Sequence, residues 1–188
     1  LISVFGSDSI KDRYGSYFLV ELESFTQSDF DKLGGFVGCF TVLKKLNLND
    51  NFTEYFQTVK EVNGSTFSLE SNFINEDHIK KTLTNLKKIL KSSTVQSLRF
   101  FETQNAASQI GEGFLEKKCT IFGIFQFRDA VYICKKIAIQ NIDYYSYRDS
   151  NKPYRDPTLG MLPPKLAQIM LNLGGESDCV YDPFCGTG

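Results

Sequence analysis

The segment Cys179-Val180-Tyr181-Asp182-Pro183-Phe184-Cys185-Gly186-Thr187-Gly188 constrains the fold more than any other. Its apolar run predicts the end of a buried strand, with Asp182 at the carboxyl edge. Gly186 and Gly188 then form a tight turn that brings bare backbone close to a ligand. A strand, an acid and a Gly-x-Gly turn suit an α/β arrangement whose backbone N–H groups meet a nucleotide-type ligand. A glycine pair standing alone more often has a steric purpose, so the flanking segments decide its meaning.

The residues just ahead predict a helix opened by Leu162 or Pro163, because proline is tolerated in a first turn where its missing N–H has no partner. Leu166, Ile169, Met170 and Leu173 give that helix an apolar stripe suited to packing on a sheet, and Gly174-Gly175 stops it. A strand from Asp178 to Tyr181 follows. Residues 141–161 read as a polar, aromatic linker, too broken by Pro153, Pro157 and Gly160 for a regular element. Arg148-Asp149 and Arg155-Asp156 in this linker either brace it by local ion pairs or present arginine to phosphate.

The preceding chain divides into two blocks. In residues 1–74, strands are predicted at Tyr17–Val20 and Phe36–Leu43, with a turn at Gly34-Gly35 and a helix through Phe52 to Val62. Asn63-Gly64 makes a hairpin-like break before the apolar run Thr66–Leu69. This block is read as a small α+β unit. In residues 75–140, Ile79, Leu83, Leu86 and Leu90 recur at steps of three and four and share one helical face. A strand at Gln96–Phe101, a helix carrying Ala107, Ile110 and Phe114, and strands at Cys119–Phe125 and Val131–Ile139 follow, the last two joined near Arg128-Asp129.

Charge is nearly balanced, 21 basic against 22 acidic residues, so the chain is not coated in positive charge. A local basic face still serves nucleic acid. Lys80, Lys81, Lys87, Lys88 and Lys91 fall away from the apolar helix face, and residues 78–101 hold five lysines and Arg99 without one acid. That run is either a solvated outer face or a phosphate footprint. Five scattered cysteines without a Cys-x-x-Cys pair, and the single His78, offer no metal cluster and fit reduced thiols of a cytoplasmic protein. No segment has the uninterrupted apolar length of a membrane helix.

The Asp182–Gly188 loop, the Tyr147–Pro157 segment and the Gly160-Met161-Leu162-Pro163-Pro164-Lys165 helix start together resemble S-adenosylmethionine-dependent methyltransferases acting on exocyclic amines. The resemblance is sharpest to the THUMP-containing RNA methylases, a family that includes enzymes methylating a guanine N2 amine in tRNA. It implies a ferredoxin-like unit at 1–74, a THUMP-like RNA-binding unit at 75–140, a linker at 141–161, and the start of a Rossmann-like methyltransferase domain at 162–188. It implies S-adenosylmethionine as cofactor, with Asp182, Phe184, Gly186 and Gly188 in the loop around its methionine portion. Asp182 would accept a hydrogen bond from the cofactor's ammonium, and the helix start at Pro163 and Lys165 would form a pocket wall.

The same resemblance makes tRNA or another structured RNA the partner, gripped through Lys80, Lys87, Lys88, Lys91 and Arg99. It places the catalytic Asn/Asp-Pro-Pro-aromatic segment beyond Gly188. Leu162 and Lys165 flank Pro163-Pro164, so that pair is not the catalytic motif, and the residues up to Gly188 are expected to be inactive alone. A DNA amino methyltransferase shares the loop and the proline-rich helix, and a separate target-recognition domain would favour it. A non-catalytic RNA-binding module with a methylase remnant is the third reading.

Overall fold

The computed structural model describes residues 2–59, 62, 65–93, 98–100, 119–152, 161–175 and 179–183. Its elements in chain order are α1 (Ile2–Phe5), β1 (Ile10–Tyr14), β2 (Tyr17–Val20), α2 (Gln27–Asp31), β3 (Gly38–Asn47), α3 (Phe52–Phe56), β4 (Thr66–Ser71), α4 (Glu76–Ser93), β5 (Arg99–Phe100), β6 (Cys119–Phe127), β7 (Ala130–Ile139), α5 (Ile142–Ser150) and α6 (Pro164–Gly174). They fall into two compact units: Tyr14–Tyr17 with Gly38–Ile139, and Leu1–Arg13 with Phe18–Val37 and Gln140–Gly188.

The first of these is built on a mixed five-stranded sheet in the order β3-β7-β6-β4-β5. Two runs rich in β-branched and aromatic residues, β6 and β7, pair antiparallel around Arg128, whose φ of 45° lies in the left-handed region that a tight hairpin turn requires. β3 adds antiparallel to β7, while β4 runs parallel to both β6 and β5. Parallel neighbours need a crossover, and α4 supplies it between β4 and β5. The strands draw on residues from both sides of position 75. Asn72 prolongs the β4–β6 ladder past its last strand residue: its amide donates to the Gln126 carbonyl and accepts from the Gln126 N–H, both at 2.8 Å.

Of the helical stripe predicted for α4, the three leucines are buried and Ile79 is half-buried against them. Leu83, Leu86 and Leu90 are fully enclosed and meet Phe56, Phe67, Leu69, Phe122, Ile124 and Ile133 in one apolar cluster. Burying each such side chain contributes about 1.5–3 kcal/mol. The opposite sheet face carries an aromatic group in which Tyr17 and Phe40 each lie 4.9 Å from Phe125. Gly123 makes that packing possible, since a Cβ there would stand 2.3 Å from the Phe125 ring. Lys136 lies 4.9 Å over the Phe40 ring and pairs with Glu70.

The second unit contains α5, and this corrects the reading of 141–161 as too broken for a regular element. Asn141 caps the helix by accepting from the Tyr144 N–H at 2.9 Å, and the disruptive Pro153 stands beyond its end at Ser150. α2 is closed by a capping box between Thr26 and Asp29. Hydrogen bonds to the Asp29 carboxylate from the Thr26 hydroxyl and N–H hold its pKa below the usual value.

Two further expectations are revised. Helix α3 ends at Phe56 rather than Val62, because the N–H groups of Gln57, Thr58 and Val59 each bond three residues back and tighten the chain out of the α-helix. Cys179–Tyr181 is not a strand, and Val180 and Tyr181 are exposed. A strand requires a place in a β-ladder, and the two sheets formed by the described residues do not include these three. The predicted Ala107–Phe114 helix and the Asn63-Gly64 break lie outside the described residues.

Candidate nucleic-acid interface and cofactor wall

On α4 the leucines and lysines separate by face, as a 3.6-residue period dictates. Lys80, Lys88 and Lys91 are exposed, and Lys87 is half-buried with its ammonium 5.7 Å over the Phe100 ring of β5. Arg99, next along β5, is exposed, and its N–H bonds the Ser65 carbonyl at 2.8 Å. Buried leucines thus hold a rigid helix whose outer turns present cations with an aromatic ring beside them. Phosphate is the natural counter-charge for such a face. His78 sits at the helix start, where its N–H bonds Asn75 at 3.1 Å.

The second set of predicted residues lies on α6 and after it. Pro163 occupies the N-cap position, with Pro164 as the first helical residue. Proline has no N–H, and no side chain caps this turn, so the N–H groups of Lys165 and Leu166 remain at an uncapped helix start. The Lys165 ammonium is turned toward the protein, donating to Gln140 Oε1 at 2.8 Å. Asp182 is exposed. Phe184, Gly186 and Gly188 lie outside the described residues.

α6 is held by its polar side. The Gln168 and Asn172 amides both donate to the Lys32 carbonyl, at 3.1 and 2.9 Å, and Asn172 Oδ1 accepts from the Gly34 N–H at 3.0 Å. Gly34 fits because it lacks a side chain: a Cβ would come within 2.8 Å of the Ile169 nitrogen. Of the predicted apolar stripe only Ile169 is half-buried, while Leu166, Met170 and Leu173 are exposed, Leu173 by 75%.

Sequence reasoning passed over a third feature. Gln140, buried and bonded at both ends of its amide, stands beside a small cavity bordered by Phe30, Leu33, Asp31, Tyr144, Tyr145 and Arg148. Burial pushes the Tyr145 hydroxyl pKa up, and nearby Arg148 partly offsets this. The available signal was Asn141 three residues before Tyr144, an N-cap spacing that brings Tyr144, Tyr145 and Arg148 onto one helix. Among the described residues, no group of His, Cys, Asp and Glu is arranged to hold a metal, and no helix is long and apolar enough to cross a membrane.

A mixed α/β chain with a lysine-faced helix is the setting for a similarity to a tRNA-modifying methyltransferase. Over 77 residues it is 34% identical to the tRNA (guanine(10)-N2)-dimethyltransferase of Methanothermobacter thermautotrophicus, a match covering 39% of this chain and 22% of that protein. The chain therefore spans about a fifth of the length of the curated relative it matches. No protein-family profile matches it.

Proposed function

We propose that the chain is the RNA-gripping front part of a cytoplasmic, S-adenosylmethionine-dependent tRNA methyltransferase acting on a guanine N2 amine. The observation that carries this reading is the 34% identity over 77 residues to an enzyme named as a tRNA (guanine(10)-N2)-dimethyltransferase. In this reading residues 1–140 carry the ferredoxin-like and THUMP-like parts, joined by 141–161 to the methyltransferase domain that begins at 162.

Lys80, Lys87, Lys88, Lys91 and Arg99 then meet RNA phosphates, recognising shape and backbone rather than sequence. The uncapped start of α6 fits a cofactor carboxylate, which backbone N–H groups at a helix N-terminus hold well. Pro163 shapes that wall, and Lys165 braces it through Gln140. Asp182, Phe184, Gly186 and Gly188 are the residues that the family resemblance assigns to the methionine portion of the cofactor. S-adenosylmethionine, when bound, supplies an activated methyl group. An exocyclic amine is a poor nucleophile, so holding it in line with that methyl is the chief task of the protein.

The test is tRNA binding by filter retention across a salt series, for the wild type and for a K87E/K88E/K91E triple variant. Loss of affinity by at least tenfold with a shallower salt slope is expected, since every phosphate that goes without its lysine reduces the slope by about 0.9. Unchanged binding by the folded variant removes α4 from the interface. Methyl transfer to tRNA by the full protein, and its absence with DNA, would establish the substrate class.

A further inference from the structure

The cavity beside α5 takes no part in that function. Its volume is about 100 Å³. Phe30 and Leu33 are its buried lining, and Asp31 and Arg148 its exposed one. Gln140 is fixed in place, because Gly34 and Lys165 bond the two ends of its amide. The Arg148 guanidinium lies 5.5 Å over the Tyr144 ring, which restrains its plane. Asp31 accepts from the Gln27 amide at 2.8 Å through Oδ1, which orients the carboxylate.

These groups define what fits. The buried end is apolar, one wall is aromatic, and the open end offers an acceptor-only carboxylate with a planar fork of N–H donors. A matching ligand is flat, apolar on its faces, and carries N–H donors and acceptors along adjoining edges. Guanine has this pattern: O6 and N7 accept from an arginine fork, and N1–H with the N2 amine donates to a carboxylate. Adenine offers no N–H pair of that kind and presents an amine where guanine has its carbonyl.

We propose that this cavity holds an unpaired guanine base of RNA, flanked by Tyr144 and recognised at its edges by Asp31 and Arg148. The proposal rests on the RNA reading only for the source of the base. It is a recognition site with no part in methyl transfer.

The probe is guanosine 5′-monophosphate, followed by amide and arginine side-chain NMR shifts of the whole chain. Saturable shifts at Asn141, Tyr145 and Arg148 are expected at millimolar nucleotide, with adenosine and cytidine monophosphates at least about tenfold weaker. R148Q should abolish the shifts, and D31N should remove the preference for guanine. Both positions are exposed, so both variants should keep the wild-type spectrum elsewhere. Y147A, on the same helix but outside the cavity lining, should bind as the wild type. The K87E/K88E/K91E variant should retain nucleotide binding while losing tRNA, which separates failure of this site from failure of the lysine face. An oligoribonucleotide with one unpaired guanine should bind more tightly than the mononucleotide; equal or weaker binding overturns RNA as the source. No shift at α5, or equal shifts with all three nucleotides, overturns the guanine site.

Discussion

Lys165 donates to Gln140 Oε1 at 2.8 Å, and the same Gln140 amide donates to the Gly34 carbonyl at 3.3 Å. One buried side chain thus joins the first turn of α6 to the loop that α6 also grips through Asn172. Q140L keeps the volume and removes both bonds. We expect a loss of about 1–3 kcal/mol, the cost of leaving buried groups without partners. Urea unfolding followed by circular dichroism measures it, and faster amide exchange in the first turns of α6 should accompany it.

Gly34 and Gly174 should respond oppositely to alanine. At Gly34 the new Cβ meets the Ile169 nitrogen at 2.8 Å and the Gln168 Cβ at 2.9 Å, so the helix must retreat. Overpacking of this kind costs about 1–3 kcal/mol. At Gly174, the last residue of α6, nothing lies within 4 Å of the added atom. There alanine should be neutral or stabilise by up to about 1 kcal/mol. Melting temperatures of the two variants provide the comparison.

Asn72 tests how far a side chain can stand in for a strand. N72A leaves the Gln126 N–H and carbonyl without their present partner and should cost about 1–3 kcal/mol. N72D retains an acceptor for the Gln126 N–H and loses the donor to its carbonyl. It should fall between wild type and N72A in denaturant midpoint.

Burial pushes the Cys119 and Cys134 thiols up to about 12. In the unfolded chain such thiols ionise from about 8.5 upward. The folded state therefore keeps protons that the unfolded state has lost. The stability tied to these thiols is full below the unfolded pKa and declines as pH rises through the folded one. Denaturant midpoints should fall steadily above about pH 9, and C119A/C134A should flatten the decline. Alkylation near neutral pH should reach exposed Cys179 well before Cys119 or Cys134.

The elements legible in the sequence were those with a long, single period. Leu83, Leu86 and Leu90 announced α4, and the β-branched runs on either side of Arg128-Asp129 announced the β6–β7 hairpin. The lysine face could be read for the same reason, since burying one side of a helix exposes the other. Sheet order could not be read, because β3 meets β7 and β4 meets β6 across long stretches of chain. Helix α5 was hidden by prolines that lie beyond its end, while its Asn141 cap went unnoticed. Cys179–Tyr181 shows the reverse error: apolar residues in a row favour a strand only when a neighbour supplies the ladder. The cavity was invisible because Asp31 and Arg148 are distant in sequence and become neighbours only through folding.

α6 carries a practical consequence. Its amides hold it in place, and Leu166, Met170 and Leu173 face water. Preparations of this polypeptide should be sticky: prone to self-association as concentration rises, responsive to mild detergent, and improved by exchanging Leu173 for a charged residue.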